Sequence, residues 1–118
     1  MLVLLNSNIK MDVLEYLDRQ GRSPFAVWFE DLDPAAAAKV TTAMTRLSLG
    51  NISNVKGVGA GVFETKIAFG PGYRVYFGKD GESLVILLAG GTKWRQQQDI
   101  KAAQERWQDY KDRKKGKL

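Results

Sequence analysis

Apolar and polar residues alternate from 62 to 69, with Phe63, Thr65, Ile67 and Phe69 on one side and Val62, Glu64, Lys66 and Ala68 on the other. Successive side chains of a strand point to opposite faces, so this pattern predicts a half-buried strand. Gly70-Pro71-Gly72 predicts a reversal, with Pro71 at the first central turn position and Gly72 supplying the positive φ after it. Residues 73–77 alternate again, Tyr73, Val75 and Phe77 against Arg74 and Tyr76, in a strand expected to run to Lys79, and Asp80-Gly81 then predicts a two-residue hairpin turn. The run Leu84-Val85-Ile86-Leu87-Leu88-Ala89 does not alternate, which predicts an interior strand covered on both faces. Three consecutive antiparallel strands result. Where their outward faces coincide, Glu64, Lys66, Arg74 and Tyr76 share one surface.

Upstream, residues 11–17 have the apolar, partly alternating pattern of a further strand, closed by Asp18-Arg19-Gln20-Gly21. Ser23-Pro24 and Asp33-Pro34 each pair a capping side chain with a proline preorganised for the first helical position. Phe25, Trp28, Phe29 and Leu32 follow the first signal at helical spacing, and Val40, Ala43, Met44 and Leu47 follow the second, ended by Gly50-Asn51. Two helices so close in sequence predict a helical hairpin whose aromatic and methionine stripe is core. Residues 51–61 read as a connector. A phosphate-binding glycine loop follows a strand and opens a helix, whereas Gly57-Val58-Gly59-Ala60-Gly61 runs into a strand, so nucleotide binding is rejected here. Ile100, Ala103, Trp107 and Tyr110 mark a C-terminal helix, and residues 111–118 read as a charged, solvated tail. Residues 1–10 fit either an extension or a short edge strand.

The order strand, two helices, three strands, helix predicts one α+β domain over residues 1–118. Its sheet is expected to be small, twisted and mainly antiparallel. The hairpin and the C-terminal helix are expected to pack Trp28, Met44 and Leu47 against its apolar side.

The formal net charge of +5 and a pI near 9.6 favour a polyanionic partner over a basic one. The chain has no cysteine and no histidine, which removes thiol catalysis, disulfides, the commonest general base and the commonest metal ligand together. No cofactor and no metal are expected. No run approaches the ~18 apolar residues that span a bilayer, and the apolar Met1-Leu2-Val3-Leu4-Leu5 is too short for a signal core. A cytoplasmic location is expected.

Lys66, Arg74, Lys93 and Arg95 form a cationic set, with Glu64, Tyr73 and Tyr76 close to it in sequence. Cations on a rigid sheet suit a phosphodiester, whose negative charge rises during in-line displacement. RNA carries its own nucleophile, the 2′-hydroxyl, so its cleavage requires only a base, an acid and charge stabilisation. Without histidine the base is a perturbed lysine, a carboxylate such as Glu64, or a tyrosine. Tyr73 equally fits an inward position beside Val75. Glu64 equally fits a cross-strand pair with Lys66 or Arg74, worth under ~1 kcal/mol if exposed.

Val62-Phe63-Glu64-Thr65-Lys66-Ile67, Gly70-Pro71-Gly72-Tyr73-Arg74-Val75-Tyr76-Phe77, Leu87-Leu88-Ala89-Gly90-Gly91-Thr92-Lys93 and Gln97-Gln98-Asp99-Ile100 closely resemble the addiction module killer toxins. These belong to the RelE/ParE superfamily, near its HigB branch, and the resemblance runs from Met11 to Tyr110. It implies a RelE-like fold and the toxin of a type II toxin–antitoxin system, held in check by a cognate antitoxin. RelE-like members cleave mRNA on the ribosome, and the resemblance places Lys66, Arg74 and Lys93 on the basic site positions. Glu64 stands where RelE itself has a second lysine, and Gln98-Asp99-Ile100 occupies the region of its C-terminal tyrosine. The implied activity is a metal-independent endoribonuclease with Lys66, Arg74, Lys93 and Glu64 as the catalytic set. Arg95, Tyr76 and Tyr73 are the implied RNA contacts. A ParE-like toxin that inhibits gyrase by contact shares the architecture, as does an inactive member that only binds its antitoxin.

Overall fold

Ser23 and Asp33 start two helices as their side chains predict, Ser23 Oγ accepting from the Ala26 amide at 3.0 Å and Asp33 Oδ1 from the Ala36 amide at 2.9 Å. A computed structural model describes residues 10–116 and carries these helices as α1 (Pro24–Glu30) and α2 (Pro34–Ser48). The expectations for residues 1–9 and for the last two residues of the tail lie outside the described residues. The strands are β1 (Asp12–Glu15), β2 (Val55–Gly59), β3 (Val62–Ile67), β4 (Tyr73–Asp80) and β5 (Leu84–Thr92), and α3 (Gln96–Lys114) closes the chain. They form a small α+β domain on one mixed, mostly antiparallel sheet of order β1-β5-β4-β3-β2, with β1 parallel to β5. Among the described residues no helix is long and apolar enough to cross a membrane.

The alternation in β3 and β4 sorts their side chains as expected. Ile67, Val75 and Phe77 join Val85 and Leu87 on one face and meet Phe25, Val40 and Leu47 of α1 and α2. Each fully buried side chain of this kind contributes roughly 1.5–3 kcal/mol relative to exposure. The interior placement of β5 also holds, since Val85 to Ala89 are all buried.

The other face departs from expectation. α3 does not join the hairpin but lies on the opposite side, where Ala103 and Trp107 pack on Val62, Tyr76, Ile86 and Leu88. The sheet therefore has helices on both faces, and its outward surface is largely roofed. A strand face that carries Glu64, Lys66, Arg74 and Tyr76 reads as solvent-facing because alternation reports polarity. It does not report whether a helix supplies partners for those polar groups.

Other local expectations shift. Residues 51–61 include strand β2, which pairs antiparallel with β3 through a tight turn where Ala60 has φ 55°. The β3–β4 turn has Gly70 and Pro71 at its centre, since the Gly72 amide donates to the Phe69 carbonyl at 2.9 Å. Gly72 takes the expected positive φ after the proline, at 84°, and Gly70, at φ 56°, adds a second left-handed residue ahead of it. Asp80 pairs with Leu84, so the next loop has three residues, 81–83, not two. The tail is helical as far as Lys114, tied down by its ion pair with Asp80.

Two indoles seat on bare backbone, one on each face. A methyl group at Gly90 would overlap the Trp28 ring, and one at Gly78 would overlap the Trp107 ring. Overpacking of a close contact costs about 1–3 kcal/mol. Gly78→Ala and Gly90→Ala are each expected to lower stability by about that amount in urea unfolding. A Gly78→Ala variant as stable as the parent would contradict the seating of α3 on this face.

Candidate functional site

The β3–β4 register sets Lys66 opposite Arg74 and Glu64 opposite Tyr76, so the outward residues of the two strands do share one face. They do not share one environment. The first turn of α3 covers the Glu64–Tyr76 rung, where Gln96 meets Glu64, and leaves Lys66 exposed at the open end of the sheet.

Glu64 is completely buried. Its Oε2 accepts from Gln96 Nε2 at 2.8 Å and lies 3.5 Å from Arg74 Nε, while Oε1 lies 3.9 Å from Lys56 Nζ. Lys56 is its cross-strand partner on β2. A carboxylate taken out of water costs several kcal/mol unless opposite charge and donors surround it. Here two cations supply the charge and one amide the hydrogen bond. Glu64 Oε1 and Arg74 Nε make no hydrogen bond, so the two ion pairs act through charge alone.

Tyr76 is also completely buried. Its hydroxyl has no hydrogen-bond partner among the described residues, and burial beside the Glu64 and Asp99 carboxylates pushes its pKa up. It is a neutral phenol shut away from solvent. Asp99, on the first turn of α3, fills the space left by the missing side chain of Gly91, and its Oδ2 is buried without a partner. Burial raises its pKa, against the pull of Arg95 and Arg106.

At the open end, Lys66, Arg74 and Lys93 line one cleft of about 320 Å³, whose wall is the 68–73 loop. Lys66 comes from β3, Arg74 from β4, and Lys93 from the short 3-10 turn between β5 and α3. Arg74 is held by Glu64 with its side chain only 12% exposed. Lys66 and Lys93 are exposed and form no ion pair among the described residues. Lys93 Nζ lies 4.8 Å from the ring centroid of Trp94, which is 76% exposed. Such a ring beside a free ammonium offers a stacking surface next to a phosphate contact.

Of the residues singled out in the sequence, Lys66, Arg74, Lys93 and Tyr73 meet at this cleft. Tyr73 does so from the opposite face of β4, its ring edge-on to Trp28 at 6.2 Å. Glu64 and Tyr76 do not open into it, which corrects their expected roles as proton acceptor and RNA contact. Arg95 is exposed on the same 3-10 turn but outside the cleft. Sequence reasoning missed Lys56, Gln96 and Asp99, the groups that close the buried end. The signal was a carboxylate at the centre of a strand, which demands neighbours of this kind. No group of three or more His, Cys, Asp or Glu placed to hold a metal ion occurs among the described residues.

No model of a known protein family matches the chain. A protein of Haemophilus influenzae (strain ATCC 51907 / DSM 11121 / KW20 / Rd), described as "Uncharacterized protein", is 44% identical to it over 80 residues, covering 67% of this chain and 81% of that protein.

Two outcomes test the buried end. Removing one partner of a buried pair costs about 3–5 kcal/mol, so Glu64→Ala is expected to lower the unfolding free energy by about that much; a loss below 1 kcal/mol would mean that Glu64 is solvated. Asp99 has a folded pKa above its unfolded value of 3.8, so the folded state binds its proton more tightly. Stability is therefore lost as pH rises from about 4 through the raised pKa. Asp99→Asn removes this penalty, and its stability relative to the parent is expected to improve as pH rises from 3.5 to 7. A difference that is flat across that range would place Asp99 in water.

Proposed function

We propose that this chain, which belongs to one family with the Haemophilus influenzae protein, is the toxin of a type II toxin–antitoxin system. In this reading it is a RelE/ParE-superfamily member near the HigB branch that cuts ribosome-bound mRNA without metal. The observation that carries the reading is the cleft where Lys66, Arg74 and Lys93 converge from three separate segments. The motif resemblance supports it, as does a mixed sheet with a helical pair before its hairpins and a helix after them.

Lys66 and Lys93 hold the phosphates that flank the scissile bond, and Arg74 meets the charge that develops on the phosphorane. Glu64 positions Arg74 from below. With Glu64 and Tyr76 under α3, the 2′-hydroxyl proton goes to a group of the ribosome as the 2′-oxygen bonds to phosphorus, and the P–O5′ bond breaks with the 5′-oxygen taking a proton from a cleft ammonium. The antitoxin is an acidic partner that covers the cationic cleft, and its binding weakens as salt screens the charges.

The burial of Glu64 and Tyr76 favours one rival. A ParE-like toxin that inhibits gyrase by contact needs the cations but no proton acceptor. Brief induction, followed by mapping of new mRNA 5′ ends and of DNA breaks, separates the two. In-frame mRNA cuts support the nuclease, and gyrase-linked breaks without mRNA cuts overturn it.

Arg74 presents a planar fork that lysine does not reproduce. Arg74→Lys is expected to slow single-turnover mRNA cleavage by about tenfold or more, equivalent to ~1.4 kcal/mol of barrier, with ribosome binding little changed. Full cleavage activity in Arg74→Ala would remove Arg74 from the site.

A further inference from the structure

The cations on the two sides of the sheet are treated differently. On the α3 side, Arg19 and Arg113 pair with Asp109, and Lys114 pairs with Asp80. On the α2 side a groove of about 380 Å³ runs between α2 and β3, and its charged lining consists of Lys39, Arg46 and Lys66. No acidic residue lines it. None of these three cations forms an ion pair among the described residues.

Lys39 and Arg46 are seven residues apart on α2, two helical turns, so they lie on the same face about 10 Å apart along the axis. Lys39 is propped over the Phe69 ring, 5.6 Å from its centroid. The neutral lining mixes polar side chains such as Thr42, Ser53 and Asn54, which suit sugar hydroxyls and base edges, with apolar ones such as Leu47 and Ile67. Residues Lys66, Ile67 and Ala68 wall both this groove and the cleft of Arg74 and Lys93. The two therefore adjoin, with Lys66 on the shared wall. Like charges gathered without an internal counterion repel each other, and a polyanion laid along them relieves that repulsion.

We infer that the α2–β3 groove extends the RNA site and takes the phosphates of the single strand beyond the segment held at Lys66 and Lys93. The inference rests on the RNA reading above. Lys39 and Arg46 are its phosphate contacts, and they act on binding and on strand direction rather than on the chemical step.

The test is the salt dependence of binding between the full chain and a fluorescein-labelled ten-nucleotide oligouridylate, measured by anisotropy. Each phosphate neutralised on a single strand contributes about 0.7 to the slope of log K against log salt concentration. The Lys39→Ala/Arg46→Ala double variant is expected to flatten the slope by about 1.4, two such contributions, with an unchanged melting temperature because both positions are exposed. The Lys66→Ala/Lys93→Ala double variant runs beside it. If only the Lys66/Lys93 change flattens the slope, the groove is not part of the RNA site, although the RNA reading survives. If neither change does, both readings fall. If the Lys39/Arg46 change leaves RNA binding intact but weakens binding of a poly-glutamate peptide, the groove belongs to an acidic protein partner and the inference is overturned.

Discussion

One buried carboxylate organises the functional half of this domain. Glu64 has no exposure to solvent, so its charge has to be met from within, and the groups that meet it come from β2, β4 and α3. Lys56 ties the edge strand to the sheet, Arg74 is drawn down from the open end, and Gln96 pins the first turn of α3 above the rung. The energetic asymmetry of such a site is large. Intact, it contributes little beyond what an apolar cluster would, but with one member missing it leaves a stranded charge. That makes it a device of position more than of stability, and what it positions is Arg74.

The same constraint explains which parts of the fold were legible in the sequence. Strands β3, β4 and β5 were legible because alternation and an apolar run report directly on how many faces are covered. Both hairpin helices were legible because Ser23 and Asp33 cap them in the expected way. Strand β2 was not, since Val55 and Val58 are its only apolar residues and its glycines resemble a loop. The side on which α3 packs was hidden for a different reason. Its stripe of Ile100, Ala103, Trp107 and Tyr110 announces an apolar face but carries no address, and the strand face that receives it is partly polar. Within the site, the cations Lys66 and Arg74 were legible from strand parity and Lys93 from its motif. The burial of Glu64 and Tyr76 was not, because it depends on a helix packing thirty residues further along the chain.

α3 also decides where positive charge is left free. Its acidic residue Asp109, together with Asp80 on β4, neutralises the cations at its own end of the molecule. Its first turn reaches Gly91, opposite Arg74, but leaves Lys66 and Lys93 exposed, with no ion pair among the described residues. A net charge of +5 is modest for the whole chain. Lys39, Arg46, Lys66 and Lys93, none in an ion pair among the described residues, nevertheless give one side of the molecule a local positive field.

Under the proposed function, the arrangement bears on how a chain without histidine would perform phosphodiester chemistry. Catalysis by charge stabilisation demands that the stabilising group be in place before charge develops, because reorganisation during the reaction gives back what the interaction contributes. A lysine on a free four-carbon stem does not meet that demand alone, whereas a mostly buried guanidinium held by the charge of a buried carboxylate does. The division of labour then follows from burial. In the proposed nuclease reading, Lys66 and Lys93, exposed and without an ion pair among the described residues, would capture the strand, and Arg74, mostly withdrawn, would act on the transition state. A carboxylate in the cleft itself would repel the same phosphate, whereas Glu64 lies outside the cleft with Lys56 and Arg74 offsetting its charge.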